Sequence, residues 1–188
     1  MKNLKTIAIA LVLAFGTTIA TAQTKKVNTE KSTVTWNAKK VTGEHNGTVN
    51  LKEGNVIFKA GKLVGGNFTV DMTSLVTTDL TGDWKGKLEG HLKSDDFFGI
   101  EKFPTSTLVF KKIADKPNGV YTVTADLTIK GITNPVTFDI AVKGDTATSV
   151  VTIDRTKYGI KYNSKSFFDS IGDKAINDDF ELTVNLQF

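Results

Sequence analysis

The feature that most constrains the fold is a strict two-residue alternation of apolar and polar side chains in the second half of the chain. Thr122, Thr124, Asp126 and Thr128 take the even positions, and the odd positions are all apolar: Tyr121, Val123, Ala125, Leu127 and Ile129. Successive side chains of a β-strand point to opposite faces, whereas a helix would scatter this pattern around its circumference. The segment therefore predicts a strand with one buried and one solvent-facing side.

Seven further segments show the same alternation or a close variant of it. The predicted strands cover residues 32–40, 45–58, 63–72, 105–113, 121–130, 136–143, 147–154 and 180–188. Turn-forming sequences at 116–119 and 143–145 predict short hairpins between neighbouring strands. Between the third and fourth strands, Trp84, Leu88 and Leu92 recur every four residues, which predicts one short helix over 83–93.

Eight strands with one apolar face each and mostly short connections predict an all-β fold. Such strands close into an eight-stranded antiparallel up-and-down barrel, here with one short inserted helix. Closure removes the exposed sheet edges, and a barrel of eight strands is wide enough either to be filled by side chains or to hold one small ligand.

The first 22 residues are typical of a cleaved signal peptide. Lys2 and Lys5 precede an apolar run over 7–15, and Ala20 and Ala22 form a small-x-small cleavage site. We therefore expect cleavage after Ala22, a periplasmic or secreted location, and one domain over 23–188. The apolar stretch is too short to span a bilayer comfortably, so the chain is not expected to be membrane-spanning.

Composition narrows the chemistry further. The chain has no cysteine, which excludes thiol catalysis, cysteine-ligated zinc and iron–sulfur clusters. Its net charge of +4 includes the two lysines of the leader, and lysine and aspartate are interspersed along the rest of the chain. A nucleic-acid partner is therefore not expected. The two histidines show no metal-ligand spacing, and neither a metal nor a cofactor is predicted.

Several blocks of sequence resemble the YceI-like family of secreted lipid-binding proteins. They are Gly-Glu-His-Asn-Gly at 43–47, Phe-Thr-Val-Asp-Met-Thr-Ser-Leu at 68–75, His-Leu-Lys-Ser-Asp-Asp-Phe-Phe at 91–98, and shorter matches at 103–105, 131–136 and 153–160. The resemblance implies a lipocalin-like barrel that holds a long isoprenoid or fatty chain in its interior. It also implies a periplasmic or secreted protein without enzymatic activity, and a possible homodimer.

The resemblance favours the inward apolar residues as a ligand surface over a filled core. The candidate ligand-binding residues are Val34, Trp36, His45, Phe58, Phe68, Phe97, Phe98, Phe103, Phe110, Leu127, Ile129, Phe138, Ile140 and Ile153. Alternation alone does not distinguish a ligand cavity from a barrel that side chains fill.

Other interpretations stay open for several residues. The three phenylalanines of 97–103 either line the mouth of the barrel or pack beneath the helix. His45 either contacts a ligand head group or fixes its turn, and Arg155 either pairs with Asp154 or faces an anionic head group.

Two rival functions remain. An integral outer-membrane barrel would share the leader, the eight strands and the terminal phenylalanine. A lipid-acting hydrolase would need a nucleophile beside a base, for which Ser94 near His91 is the nearest candidate.

Overall fold

The computed structural model describes residues 21–188, and all but the last two residues of the predicted signal peptide lie outside this range. Its strands are β1 (Ala22–Lys26), β2 (Thr33–Lys40), β3 (Gly43–Lys59), β4 (Lys62–Thr77), β5 (Thr105–Asp115), β6 (Val120–Ile129), β7 (Ile132–Lys143), β8 (Thr146–Asp154) and β9 (Ile176–Gln187). One α-helix, α1 (Gly82–Lys93), lies between β4 and β5, and short 3₁₀ turns lie at Pro117–Gly119, Arg155–Tyr158 and Gly172–Lys174.

Strands β2 to β9 form a closed antiparallel barrel. Each strand pairs with the next along the chain, and β2 also pairs with β9, with Trp36 opposite Leu182. The predicted eight-stranded antiparallel up-and-down barrel with one inserted helix is thus confirmed. Among the described residues, no helix has the length and apolar character needed to cross a membrane.

The ninth strand, β1, was not expected from the sequence. Residues 23–30 are mostly polar and predict an irregular segment, yet Ala22–Lys26 pairs antiparallel with the last part of β3, with Lys26 opposite Asn55. The 17 residues of β3 extend well beyond its pairing with β2, which ends at Val49. β1 therefore fills the edge that β2 leaves open, and backbone pairing rather than apolar side chains explains this strand.

Strand β4 is also longer than its sequence pattern predicts. The third predicted strand ends at residue 72, but β4 continues to Thr77. The pairing of β3 with β4 shifts register between Thr48 and Asn50 and again between Leu51 and Glu53. Such bulges change which parity faces inward, so Met72, Leu75 and Thr77 are all buried without a regular alternation.

The two ends of the barrel differ in how they are covered. At the helix end, the connections 41–42, 78–104, 130–131 and 155–175 join the strands, and α1 packs against β4. At the hairpin end, short turns join the strands, and the rings of Phe58 and Phe188 meet at 5.7 Å. The ammonium group of Lys25 lies over both rings. Aromatic side chains therefore cover the hairpin end, whereas longer connections and α1 cover the helix end.

Candidate functional site

The interior of the barrel contains two adjoining chambers. They share the wall residues Val34, Val70, Ser106, Leu127, Ile153 and Leu182. The centre of a water molecule can reach about 150 Å³ of the first chamber and about 90 Å³ of the second. A single buried water needs only about 10–15 Å³ by this measure. The inward side chains therefore leave two adjoining open spaces and do not fill the barrel.

The second chamber is deep, apolar and uncharged. Its wall contains no charged side chain among the described residues. The ring of Phe110 lies between two others, with its centroid 5.5 Å from that of Phe68 and 6.0 Å from that of Phe138. The absence of a side chain at Gly66 makes room for these rings, because a Cβ atom there would lie 2.8 Å from Phe110. Such a chamber can bind a hydrocarbon chain by desolvation alone.

The first chamber lies beneath the helix end. Leu88, His91 and Leu92 of α1 and the rings of Phe97 and Phe98 form its cover. The turn that carries the two rings is held by main-chain hydrogen bonds from Gly99 N to Ser94 O (2.8 Å) and from Phe103 N to Gly99 O (2.9 Å). Gly99 has a φ of 56°, which a residue without a side chain adopts at little cost. This local structure directs the two phenylalanines into the barrel.

Most of the predicted ligand-binding residues meet at these chambers. Twelve of the fourteen line one or both of them: Val34, Trp36, His45, Phe68, Phe97, Phe98, Phe110, Leu127, Ile129, Phe138, Ile140 and Ile153. Their contact with a ligand remains a prediction, but the structure places them on one continuous surface.

Phe58 and Phe103 lie outside both chambers. Phe58 is buried against Phe188 and helps to close the hairpin end. Phe103 lies in the turn before β5 and lines neither chamber. Its ring packs on the turn after β6, where a Cβ atom at Gly131 would lie 2.9 Å from it.

Other lining residues were missed in the candidate set. Phe180, Leu182, Val184 and Leu186 of β9 line the chambers, and their strict alternation in the last predicted strand could have identified them. The lining residues of β4 include Val70, Met72 and Leu75. Val70 and Met72 continue the alternation of Phe68 and could have been identified in the same way. Leu75 lies beyond the bulge that interrupts this periodicity, so no regular pattern marks it.

His45 is held by a carboxylate at the rim of the first chamber. Its Nδ1 lies 2.7 Å from Oδ2 of Asp79, and Oδ1 of Asp79 accepts hydrogen bonds from the Asn46 amide (3.1 Å) and the Thr77 hydroxyl (2.7 Å). Partial burial acts to raise the pKa of Asp79, but the hydrogen bonds from His45, Thr77 and Asn46 together outweigh it and lower that pKa to about 2. The pair fixes the start of β3 against the end of β4.

Arg155 is a buried cation whose hydrogen-bond partners are main-chain carbonyl oxygens. It is 3% exposed, and its guanidinium donates to the carbonyl oxygens of Ile160 (2.9 Å), Ile176 (3.0 Å) and Asn177 (3.0 Å). Burial lowers its pKa, and its closest carboxylate is that of Asp178, at 3.6 Å.

The alternative in which Arg155 pairs with Asp154 is not what the structure shows. Oδ1 of Asp154 instead accepts hydrogen bonds from the amide and the hydroxyl of Thr156. The ring of Phe97 lies 5.6 Å from the guanidinium carbon of Arg155. This cation therefore ties the long 155–175 connection to the start of β9 and supports the cover of the first chamber.

The C-terminus of α1 carries Ser94 and His91, the candidate nucleophile and base of the hydrolase alternative. The Ser94 hydroxyl donates to the carbonyl oxygen of His91 at 2.8 Å and so caps the helix. His91 packs edge-on against Phe97 and Tyr162, and its buried Nε2 has no hydrogen-bond partner within residues 21–188. Asp95 pairs with Lys102, which lowers the pKa of the carboxyl group. In the described part of the chain, no group of three histidine or carboxylate side chains is arranged for a metal ion.

Solved structures share this architecture. BcnA of Burkholderia cenocepacia is similar with a TM-score of 0.63 and 23% identity, over 85% of this chain and 98% of that one. A polyisoprenoid binding domain from Saccharophagus degradans, implicated in plant cell wall breakdown, is similar with a TM-score of 0.57 and 12% identity, over 86% of this chain and 95% of that one. At these identities the similarity establishes the shared fold.

Sequence comparison identifies the family. A UPF0312 protein of Staphylococcus aureus (strain USA300) is 41% identical over 86 residues, which are 40% of this chain and 47% of the relative. The chain spans about half the length of the curated relatives it matches. The model of the YceI-like domain matches residues 26–188, which include the whole barrel from β2 to β9. The chain therefore belongs to the YceI-like domain family.

Proposed function

We propose that this protein binds one long apolar lipid, with an isoprenoid or fatty acyl chain, inside the barrel. The observation that carries the proposal is the pair of joined chambers, whose shared wall is apolar except for Ser106. The Saccharophagus degradans structure described as a polyisoprenoid binding domain has the same fold and supports this class of ligand. The function is binding, for transport or storage, and not catalysis.

The energetics of such a site require no specific polar contact with the chain. Each methylene group transferred from water into an apolar chamber contributes about 0.8 kcal/mol, so about sixteen of them contribute about 13 kcal/mol before costs. Loss of translational freedom and of chain flexibility offsets several kcal/mol. We therefore expect a dissociation constant of roughly micromolar or lower for a chain that occupies both chambers.

The lipid content of the purified protein tests this proposal. Protein produced in its own host is extracted with organic solvent, and the extract is identified by mass spectrometry beside an extract of a barrel protein without a cavity. We expect a single class of long-chain lipid at close to one molecule per protein. A protein without extractable lipid that also takes up no hydrophobic fluorescent probe would refute the proposal.

The leader-like residues 1–22 support a periplasmic or secreted carrier. Cell fractionation and mass measurement of the mature chain test this location. We expect a mature protein that begins at Gln23 and is released without detergent. Recovery only with detergent from the membrane fraction would favour the outer-membrane alternative. The outward faces of β6 and β7 carry Thr122, Asp126 and Asp139, which are costly to place against lipid and therefore support the carrier.

The hydrolase alternative is tested at the helix C-terminus. The Ser94 hydroxyl is bonded to the helix main chain and is thereby drawn away from a role as nucleophile. We expect the Ser94→Ala protein to retain lipid binding, and neither protein to cleave a lipid ester. Ester cleavage that disappears in Ser94→Ala would instead assign an enzymatic function. Native mass measurement of the same samples also tests the possible homodimer.

A further inference from the structure

The charged residues that line the first chamber are all cations. Lys39, Lys40 and Arg155 contribute to its wall, together with His45 and His91, and within residues 21–188 no aspartate or glutamate does. The second chamber, which lies deeper, is lined by no charged residue of the described chain. The walls of both chambers are thus almost wholly apolar, and cationic residues occur only around the first chamber, at the helix end. An apolar interior with cations at one end suits an amphipathic molecule with a negative head.

An irregularity in the pairing of β2 with β9 lies beside the two lysines. Between β2 and β9, Ala38 is opposite Phe180, but Lys40 is opposite Ile176, and Lys39 has no partner on β9. Two steps along β2 thus correspond to four along β9. The extra residues belong to β9, whereas β2 stays in regular register with β3 through Lys39 and Lys40. Bulges occur often beside binding sites. We call this place the β2–β9 break and define it by Lys39, Lys40, Ile176 and Asn177, all of which line the first chamber.

Residues of the β2–β9 break reach solvent as well as the first chamber. Lys39 is exposed and Lys40 is half-buried, although both line the cavity. Beyond the break, the wall closes again through the hydrogen bond from Val41 N to Ala175 O at 3.2 Å. A ligand chain that lies in the two chambers can therefore present its end group to water at this position without opening the barrel.

The two lysines form no ion pair with the described part of the chain. Within residues 21–188, neither ammonium group has a carboxylate within 4 Å, and Glu44, the β3 residue opposite Lys39, is exposed and does not line the chamber. By contrast, the guanidinium of Arg155 already donates to three carbonyl oxygens. The uncompensated positive charge at the cavity therefore belongs to Lys39 and Lys40.

The nearby carboxylates have other partners. Asp79 is bonded to His45, and Asp178 accepts from the Ser166 hydroxyl and lies beside Arg155. A separate observation also indicates a polar ligand group: Nε2 of His91, which lines the same chamber, is buried without a hydrogen-bond partner within the described chain. Buried polar atoms of this kind are rare unless something outside the chain satisfies them.

We propose that Lys39 and Lys40 at the β2–β9 break bind the anionic head group, a carboxylate or a phosphate, of the lipid whose chain occupies the barrel. This inference rests on the proposed function and adds the charge of the ligand to it. A negative head group there would gain charge-assisted hydrogen bonds from two ammonium groups at the edge of a low-dielectric cavity. A neutral lipid with the same chain would gain only the apolar contacts.

The experiment compares ligands that differ only in the head group. Oleate, oleyl phosphate and oleyl alcohol are titrated at neutral pH into delipidated protein, with tryptophan emission or displacement of a fluorescent probe as the readout. We expect both anions to bind about tenfold or more tightly than the alcohol, which corresponds to about 1.4 kcal/mol. The preference of one anion over the other distinguishes a carboxylate ligand from a phosphate ligand.

Two double variants test whether the preference for anions over the alcohol depends on Lys39 and Lys40. In Lys39→Gln/Lys40→Gln, we expect the anions to fall to the affinity of the alcohol, whose own binding stays within about twofold because its apolar contacts are unchanged. The matched control is Lys26→Gln/Lys59→Gln, which removes two exposed lysines near the hairpin end. This control loses the same net charge, so it should keep the preference for anions.

Each result separates the two proposals. If none of the three ligands binds to the unaltered protein, the proposed function itself is wrong. If all three bind equally well, the barrel is a lipid site but the head-group assignment is wrong. An equal loss of preference in both double variants would show an effect of overall charge and would also refute a site at Lys39 and Lys40. Inorganic phosphate alone should not compete at concentrations that match the lipid, because it lacks the chain.

Discussion

The indole ring of Trp36 lies directly over Gly47, the residue opposite it on the neighbouring strand. A Cβ atom at Gly47 would lie 2.6 Å from two ring atoms of Trp36 and 1.9 Å from the carbonyl oxygen of Val76. Because position 47 has no side chain, the ring crosses β3, and its Nε1 donates to that same carbonyl on β4 at 3.2 Å. One residue thereby ties three strands together at the wall of the first chamber.

Gly47→Ala should therefore lower the free energy of unfolding by about 3 kcal/mol, since the methyl group can be accommodated only by moving main chain or the indole. Urea denaturation measures this change, and the tryptophan emission of the folded state should shift as Trp36 is displaced. The matched control is Gly86→Ala in α1, where a Cβ atom meets nothing within 4 Å. That substitution should stabilise the protein by up to about 1 kcal/mol, because alanine favours a helix over glycine. Equal midpoints for the two variants would contradict the role assigned to Gly47.

Leu127 stands at the junction of the two chambers, so a larger side chain there should divide the cavity. In Leu127→Trp, we expect long-chain ligands to bind at least about tenfold more weakly, whereas a chain of half the length loses little. Stability should change by only about 1 kcal/mol, since adjacent open space accepts the added atoms. Titration of oleate and octanoate measures the effect.

The control for this experiment is Val109→Trp, a substitution of similar size on the outer face of β5, where Val109 is exposed. It should leave both chain lengths unaffected. Unaltered oleate binding in Leu127→Trp would show that the chain does not pass between the chambers.

The barrel was predictable because alternating apolar residues in the sequence mark the inward face of its most regular strands. Val123 and Ala125 of β6 are fully buried and Ile153 of β8 nearly so, as their alternation predicts. The period of two gives the direction of each side chain but not the distance to the opposite wall. Whether the interior was open or filled could therefore be read only from the structure.

The remaining differences have local physical causes. The bulges between β3 and β4 interrupt the alternation of β4 after Met72, and main-chain pairing places the polar β1 in the sheet. The carboxylate nearest to Arg155 is that of Asp178, which lies 23 residues later in the chain. No short-range sequence pattern indicates this contact. The β2–β9 break likewise depends on the register between strands that are distant in sequence.

The carboxylate of Asp79 should contribute to stability at neutral pH and lose this contribution in acid. Its pKa is lowered from 3.8 to about 2 in the folded protein, so the stabilisation is complete above the unfolded value and is lost as the pH falls through about 2. Asp79→Asn should therefore cost about 1–2 kcal/mol at neutral pH, a value reduced for partial solvent exposure of the pair. Near pH 2 the variant and the unaltered protein should approach equal stability.

Urea denaturation at several pH values measures this difference. Asp96→Asn serves as the control, since Asp96 is exposed and has no ion pair within the described residues. Its cost should be small and should not follow the pH profile of Asp79→Asn. A deficit for Asp79→Asn that stays constant from neutral pH to about pH 2 would show that the lost interaction does not depend on the ionised carboxylate.

Replacement of Arg155 should lower the stability of the folded barrel more than most other single substitutions. Its planar guanidinium donates to the carbonyl oxygens of Ile160, Ile176 and Asn177, and no other described side chain makes all three contacts. Arg155→Met would leave these three oxygens without their donor and the Asp178 carboxylate without its nearby cation. We expect a loss of about 3–5 kcal/mol in the free energy of unfolding.

Arg155→Lys separates the charge of this residue from its geometry. An ammonium group keeps the attraction to Asp178 but cannot reach three carbonyl oxygens in the directions that a guanidinium fork does. We therefore expect Arg155→Lys to recover only part of the stability lost in Arg155→Met, whereas Lys157→Met, at a neighbouring lysine that is 61% exposed, should cost less than about 0.5 kcal/mol. If Arg155→Lys restored full stability, charge alone would hold the 155–175 connection. Partial recovery, measured by urea denaturation, would instead assign this role to the three directed hydrogen bonds.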